Sequence, residues 1–235
     1  MSGWKAKRFW AEVTTKPHAD GFSIGLDAKS VLTPARTRMI VPTAKLAEII
    51  AAEWAAQGKT IDPLAMPFTR TANAAIDKVA PQRGEVAQDL AAYGDSDLLC
   101  YRAETPAGLV ARQAEAWDPL LAWAAENLQV RLSLTTGVVH KAQEPGELAR
   151  LSHLVRALSN FELAAFQELV SLSGSLVIGF AVAANAWPDA ELWAASRIDE
   201  NWQQEQWGED AEASCQELLK RRAFMDAAKF LRACA

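Results

Sequence analysis

The chain has 235 residues, half of them hydrophobic, enough to bury a substantial core as one large domain or two modest ones. Its 24 basic and 29 acidic side chains leave a formal charge of -5, so a nucleic-acid partner, which calls for a strong positive field, is not expected. Cys100, Cys215 and Cys234 are odd in number, widely spaced and free of any CxxC pairing, which argues against a disulfide framework or a zinc site and for a reducing compartment.

The first residues, MSGWKAKRFWAEV, are basic but lack both an apolar core of signal-peptide length and a small-residue cleavage site, so secretion is not expected. RFWAEV, GFSIGLD and TRMIVP read as strands: in the second, Phe22, Ile24 and Leu26 alternate with Ser23 and Gly25. Turn residues separate them, with His18-Ala19-Asp20-Gly21 before the second run, Asp27-Ala28-Lys29 after it and Thr33-Pro34 in the next segment.

Past Pro42 the period changes from two to about 3.6. Thr43 is a candidate N-cap, Leu46, Ile49, Ile50, Glu53 and Trp54 follow at helical spacing, and Gly58 is the expected residue beyond the helix end. Asp62-Pro63 and Met66-Pro67 then interrupt regular structure, because the residue before a proline is driven from the α region. The domain boundary is expected there. Helices are expected over 69–79, 82–93 (ending at Gly94), 109–128, 146–159, 161–172, 175–185, 188–207 and from Asp210 onward, with 130–138 extended. The uncharged run from Leu169 to Trp187 is diluted by Ser171, Ser173, Gly174, Ser175 and Asn185, and reads as buried helix, not as a membrane span. Within it, Ser175 and Gly179 offer a small-residue face one turn apart. The fold class is α+β: a small N-terminal β-rich domain with one helix, residues 1–65, followed by a larger all-helical domain, residues 66–235.

Catalytic vocabulary is sparse. No glycine-rich run ends in Lys-Ser/Thr to cradle phosphates; GFSIG is a strand with two glycines. His18, His140 and His153 have no carboxylate or second histidine at helical spacing for a metal face. Cys100, in DSDLLCYR, has nearby Asp95 and Asp97, which would raise rather than lower its pKa, and it reads as a small core residue. Asp95 and Asp97 read as caps of the segment after Gly94. No catalytic residue, metal or cofactor is expected.

The segment ASRIDENWQQEQWGED, Ala195 to Asp210, holds more interest. On a helix from Pro188, Leu192, Ala195, Ile198 and Trp202 form one stripe that faces the core. Asp199, Gln203 and Gln206 share the neighbouring stripe, a placement that suits a partner-facing groove. Indoles are enriched at binding surfaces as well as in cores, so a solvated amphipathic face stays open beside the groove reading.

Across the whole chain these residues resemble the alpha-subunit assembly chaperones of the F-type ATP synthase, known in mitochondria as ATP synthase assembly factor 2. The resemblance is carried by RFW at Arg8 to Trp10, GFSIGLD, Thr33-Pro34, EWAAQ at Glu53 to Gln57, MPFTR at Met66 to Arg70 and AID at Ala75 to Asp77. It continues in DLLCYR at Asp97 to Arg102, Gln113, Trp117-Asp118-Pro119 and DENWQQEQWGED. Each motif is weak alone; their order and spacing are specific. The resemblance implies a small β-rich domain before a helical one, and a chaperone rather than an enzyme, one that binds the unassembled alpha subunit and shields its beta-contacting surface. It implies an important acidic position at Asp199, where the family typically has glutamate, one methylene longer. Glu200, Trp202, Gln203, Trp207 and Gly208 match the surrounding pattern; Gln206 joins them as a partner-binding candidate from the groove stripe, and Trp54 is a structural landmark expected to pack between the domains. The expected partner is thus the alpha subunit, without nucleic acid or membrane insertion, for a monomer in the bacterial cytoplasm or a mature mitochondrial matrix form. The alternatives are a hydrolase or transferase that gathers Asp95, Asp97 and Asp199, for which no nucleophile, metal set or phosphate cradle is at hand, and a helical scaffold with other clients.

Overall fold

A computed structural model describes residues 7–208 and 211–235; Asp210, the expected start of the last helix, and the first six residues lie outside the described residues. Antiparallel strands β1 (Val13–His18) and β2 (Gly21–Leu26) pair Val13 with Leu26 and His18 with Gly21. The short strands β3 (Lys29–Ser30) and β4 (Ile40–Val41) both pair with β2, completing a four-stranded sheet. Gly21 has φ +139°, and a Cβ there would fall 2.3 Å from the Val41 carbonyl oxygen, so only glycine turns the hairpin against β4. Ile24 and Leu26 are buried on one face of β2, as their alternation predicts, and helix α1 (Ala44–Ala55) packs on β1 and β2 with Leu46, Ala47 and Ile50. Thr43 caps α1 by accepting from Leu46 N at 3.1 Å.

The first motif departs from expectation. RFWAEV is not a strand; the ladder begins at Val13, and Arg8 is used as a cap. Its Nη1 donates to the Gln57 carbonyl at 2.6 Å and to that of Ala55 at 3.2 Å, supplying partners at the C-terminus of α1. Gly58, expected beyond the helix end, is not among the positive-φ glycines. Glu53 accepts from Phe68 N and Thr69 N, both at 2.7 Å, which caps α2 (Pro67–Ala74), a helix that runs into a π turn over Ala75–Val79. Trp54 lies edge-on to the buried Trp10, ring centroids 5.2 Å apart.

The chain divides into two compact units. One contains the chain up to Arg83 with Ser159–Ala165 and Lys229–Ala235, reaching beyond the expected boundary at residue 65; the other contains Gly84–Leu158 and Phe166–Ala228. The remaining helices are α3 (Arg83–Ala91), α4 (Ala107–Trp123), α5 (Pro145–Ala157), α6 (Asn160–Ser173), α7 (Leu176–Ala183), α8 (Asp189–Ala195), α9 (Ile198–Trp207) and α10 (Ala211–Ala233). To the expected all-helical composition the second unit adds one parallel pair, β5 (Tyr101–Arg102) with β6 (Thr135–Thr136), of which β6 alone lies inside the stretch predicted to be extended. Its core includes the fully buried Trp117, Leu151, Phe166, Leu169 and Phe224.

The uncharged run is two buried helices. Gly174, at φ +73°, follows α6, and Ser175 caps α7 through Ile178 N at 3.1 Å. The small-residue face has one specific use: the Phe166 ring lies where a Gly179 Cβ would meet it at 2.9 Å. Among the described residues, no helix is long and apolar enough to cross a membrane.

Residues 188–207, expected as one helix, are two. The Ala195 carbonyl, which in an unbroken helix would accept from Asp199 N, instead accepts the Trp117 indole N–H at 2.8 Å. The Ser196 hydroxyl caps the Trp193 carbonyl at 2.7 Å, and the chain restarts at Ile198. This break puts Asp199 and Glu200 in the first turn of α9, where the helix dipole favours negative charge.

Candidate functional site

The start of α4, β5 and α9 enclose a groove of about 550 Å³ in the second unit, which Gly137 and Val138 also line. From α9 come Asp199, Trp202, Gln203, Gln206 and Trp207, five of the seven predicted site residues. Glu200 does not line it: it is exposed and paired with Arg197 at 2.9 Å. Gly208 also lies outside the lining and ends α9 at φ +91°, its N–H donating to the Gln204 carbonyl at 2.8 Å.

Asp199 is positioned by a side chain from α4. The buried Gln113 donates through Nε2 to Asp199 Oδ1 at 2.6 Å and accepts from Ala103 N at 2.8 Å, so the amide's orientation is set from both ends. One carboxylate oxygen is thereby anchored while the half-buried side chain still lines the groove. Trp202 occupies a notch made by Gly108, whose Cβ would lie 2.8 Å from the ring, and carries the Arg112 guanidinium over its face at 4.8 Å. Arg112 also bonds Glu205 at 2.7 Å; that hydrogen bond raises the arginine's pKa and lowers the glutamate's. Arg102 is placed by its Nε on the Leu99 carbonyl at 3.0 Å, by an ion pair to Asp118 at 2.8 Å and by stacking on Trp117. Among the described residues, Val138 and Trp207 are 95% and 80% exposed, large apolar surface on the groove.

The other candidates have duties elsewhere. Cys100 is buried, and burial first, with Asp97 second, pushes its thiol up to about 12, which leaves no thiolate to attack a substrate. Asp97 is fully buried and accepts from Leu99 N and Val177 N. Asp95 accepts from Gln143 N at 2.8 Å and lies 3.2 Å from His140 Nε2. Asp95, Asp97 and Asp199 thus answer to three different sets of partners, and among the described residues no three His, Cys, Asp or Glu side chains are grouped to hold a metal.

Residues 7–125 match the ATP12 chaperone protein family. The chain belongs to that family. Mitochondrial protein atp12 of Schizosaccharomyces pombe is 29% identical over 232 residues, covering 92% of this chain and 79% of its own. The crystal structure of Paracoccus denitrificans Atp12 superposes with a TM-score of 0.95 at 44% identity, covering 98% of this chain and 99% of that one. An aspartate-to-lysine mutant of the same Paracoccus protein gives 0.95 at 43% identity and 98% coverage of both chains. The family, that of ATP synthase assembly factor 2, makes this an ATP synthase assembly chaperone.

The hydrogen bonds separate the motifs that are architectural from those at the groove. Glu53 and the MPFTR segment form a cap, Trp54 packs on Trp10, and Asp97 pins a turn to α7. Gln113, by contrast, belongs to the groove, as do Arg102 and Leu109. Gln113 was legible as a landmark, but an amide in a helix carries no periodic signal that ties it to a carboxylate 86 positions later.

Proposed function

We propose that the protein binds the unassembled alpha subunit of the F-type ATP synthase and shields its beta-contacting surface until the alpha/beta head forms, gripping it in the groove beside Asp199. The observation that carries this reading is a carboxylate anchored through one oxygen by Gln113 in a groove that the Trp202 and Trp207 indoles also line. An obligate interface exposed before assembly is large and apolar, and a holder must cover it yet let go. Val138 and Trp207 supply apolar contact without requiring the protein to unfold anything of its own. Asp199 adds selectivity: a half-desolvated carboxylate rewards a client arginine or lysine that pairs with it and penalises a face without one. The work is that of a monomer in the bacterial cytoplasm, or in the matrix for a mitochondrial form, with no nucleic acid and no membrane insertion.

Asp199→Asn and Asp199→Lys, each checked for folding, are to be compared with wild type for suppression of light scattering by isolated alpha subunit. The lysine variant is expected to lose at least about tenfold in affinity, or 1.4 kcal/mol, with asparagine between it and wild type. Equal suppression by all three would remove the carboxylate from the client site.

A further inference from the structure

Helix α9 is a ridge with a groove on each flank. Opposite the Asp199 groove, its Ile198, Asn201 and Glu205 face a second cleft of about 470 Å³, walled also by α4, α8 and Trp187. The floor is apolar: Ala116, Leu120, Leu192, Ala195 and Ile198, with Trp187 edge-on to Trp123 at one end. The rim is acidic. Among the described residues, Glu115, Glu191 and Glu205 line it against one cation, Arg112, whose charge is already committed to Glu205 and to the Trp202 ring. Among the described residues, Glu115 and Glu191 form no ion pair. The backbone adds another acceptor, because Pro119, inside α4, has no N–H to give to the Glu115 carbonyl.

Such a cleft has an apolar bed and a rim on which three carboxylates face one already paired guanidinium, so charge complementarity selects an apolar segment with basic side chains. Among the described residues, no buried polar side chain lines it to orient a small molecule, which favours a polypeptide held by its surface. We propose that the second groove takes a separate amphipathic segment of the client polypeptide, apolar on one face and bearing lysine or arginine on the other, so that the client straddles α9. This deepens the chaperone reading above and rests on it for the identity of the client. Arg112 joins the two contacts: it forms part of the second groove while stacking on Trp202, which lines the first.

The probe is a fluorescent helical peptide of leucine and lysine, with a leucine and glutamate counterpart, titrated by anisotropy into the full chain. Wild type is expected to prefer the lysine peptide by at least about tenfold. The exposed double substitution Glu115→Lys with Glu191→Lys should erase that preference, while Asp199→Lys, on the opposite flank, should leave it within about threefold. Unchanged binding by the double variant overturns the proposal, as does loss of binding through Asp199→Lys alone, which would place the peptide in the first groove. Isolated alpha subunit separates the two readings. If Asp199→Lys weakens alpha binding and the double variant does not, the first groove stands and the second falls. If wild type ignores alpha yet the peptide pattern holds, the second groove stands and the client assignment falls.

Discussion

Asp97 and Asp199 are both held by hydrogen bonds beside helix starts in the second unit, yet they differ in what their carboxylates have left to give. Asp97 is fully buried: one oxygen accepts from Leu99 N at 3.1 Å, the other from Val177 N at 3.2 Å, and Ser175 adds a side-chain bond. Burial raises its pKa from 3.8 to about 6 in spite of those donors. Asp199 has one donor, Gln113, and otherwise faces a groove. A carboxylate consumed by its own chain ties elements together; a carboxylate anchored at one point can still choose a partner. Residue type is the same and both lie near a helix start, Asp97 as the cap of a short 3-10 turn and Asp199 in the first turn of α9, and enclosure separates the roles.

The comparison breaks most readily at Asp97. Asp97→Ala strips the acceptors from two buried N–H groups and is expected to cost about 2–4 kcal/mol in a denaturant melt at pH 7. The same aspartate has a pH signature of definite sign. Its folded pKa, about 6, lies above its unfolded value of 3.8, so the folded state takes up the proton first. The stability this lends is fully present below the unfolded value and is lost as pH rises through the folded one. The stability difference between wild type and Asp97→Asn should therefore fall by roughly 2 kcal/mol from pH 4 to pH 6. A flat difference would mean that the site is not dry.

Gln113→Leu sharpens the contrast on the other side. It removes the acceptor for Ala103 N and the donor to Asp199, and should cost about 1–2 kcal/mol of stability, less than the change at Asp97, while alpha binding falls severalfold. Alpha affinity unchanged in a folded Gln113→Leu protein would show that Asp199 needs no anchor. The smallest stability effect is expected at Trp207, 80% exposed: Trp207→Ala should move the melt by no more than about 0.5 kcal/mol and still weaken alpha binding about tenfold. Equal and large losses in both measurements would make the indole structural.

Much of the architecture was legible because local chemistry dictates it. The alternation of Phe22, Ile24 and Leu26 placed one face of β2 in the core, Thr43 announced α1, and Ser175 capped α7. RFWAEV misled because aromatic and branched composition favours strands, whereas Arg8 gains more by closing the C-terminus of α1. The break between α8 and α9 was hidden for a similar reason: nothing local in Ala195-Ser196-Arg197 forbids a helix, and the competing donor is the Trp117 indole, 78 positions earlier.

The amino-acid sequence alone determined the two periods of the chain, its family and the stripe of Asp199, Gln203 and Gln206, all of which depend on neighbours a few residues apart or on motifs in order; Trp202, expected on the core-facing stripe with Ile198, lines the groove with Asp199 instead. Tertiary structure decided which carboxylate is enclosed and which stays available, that Gln113 aims Asp199, and that α9 has a second groove behind it. Those outcomes depend on desolvation and on donors far away in the chain, quantities that exist only once the helices have packed.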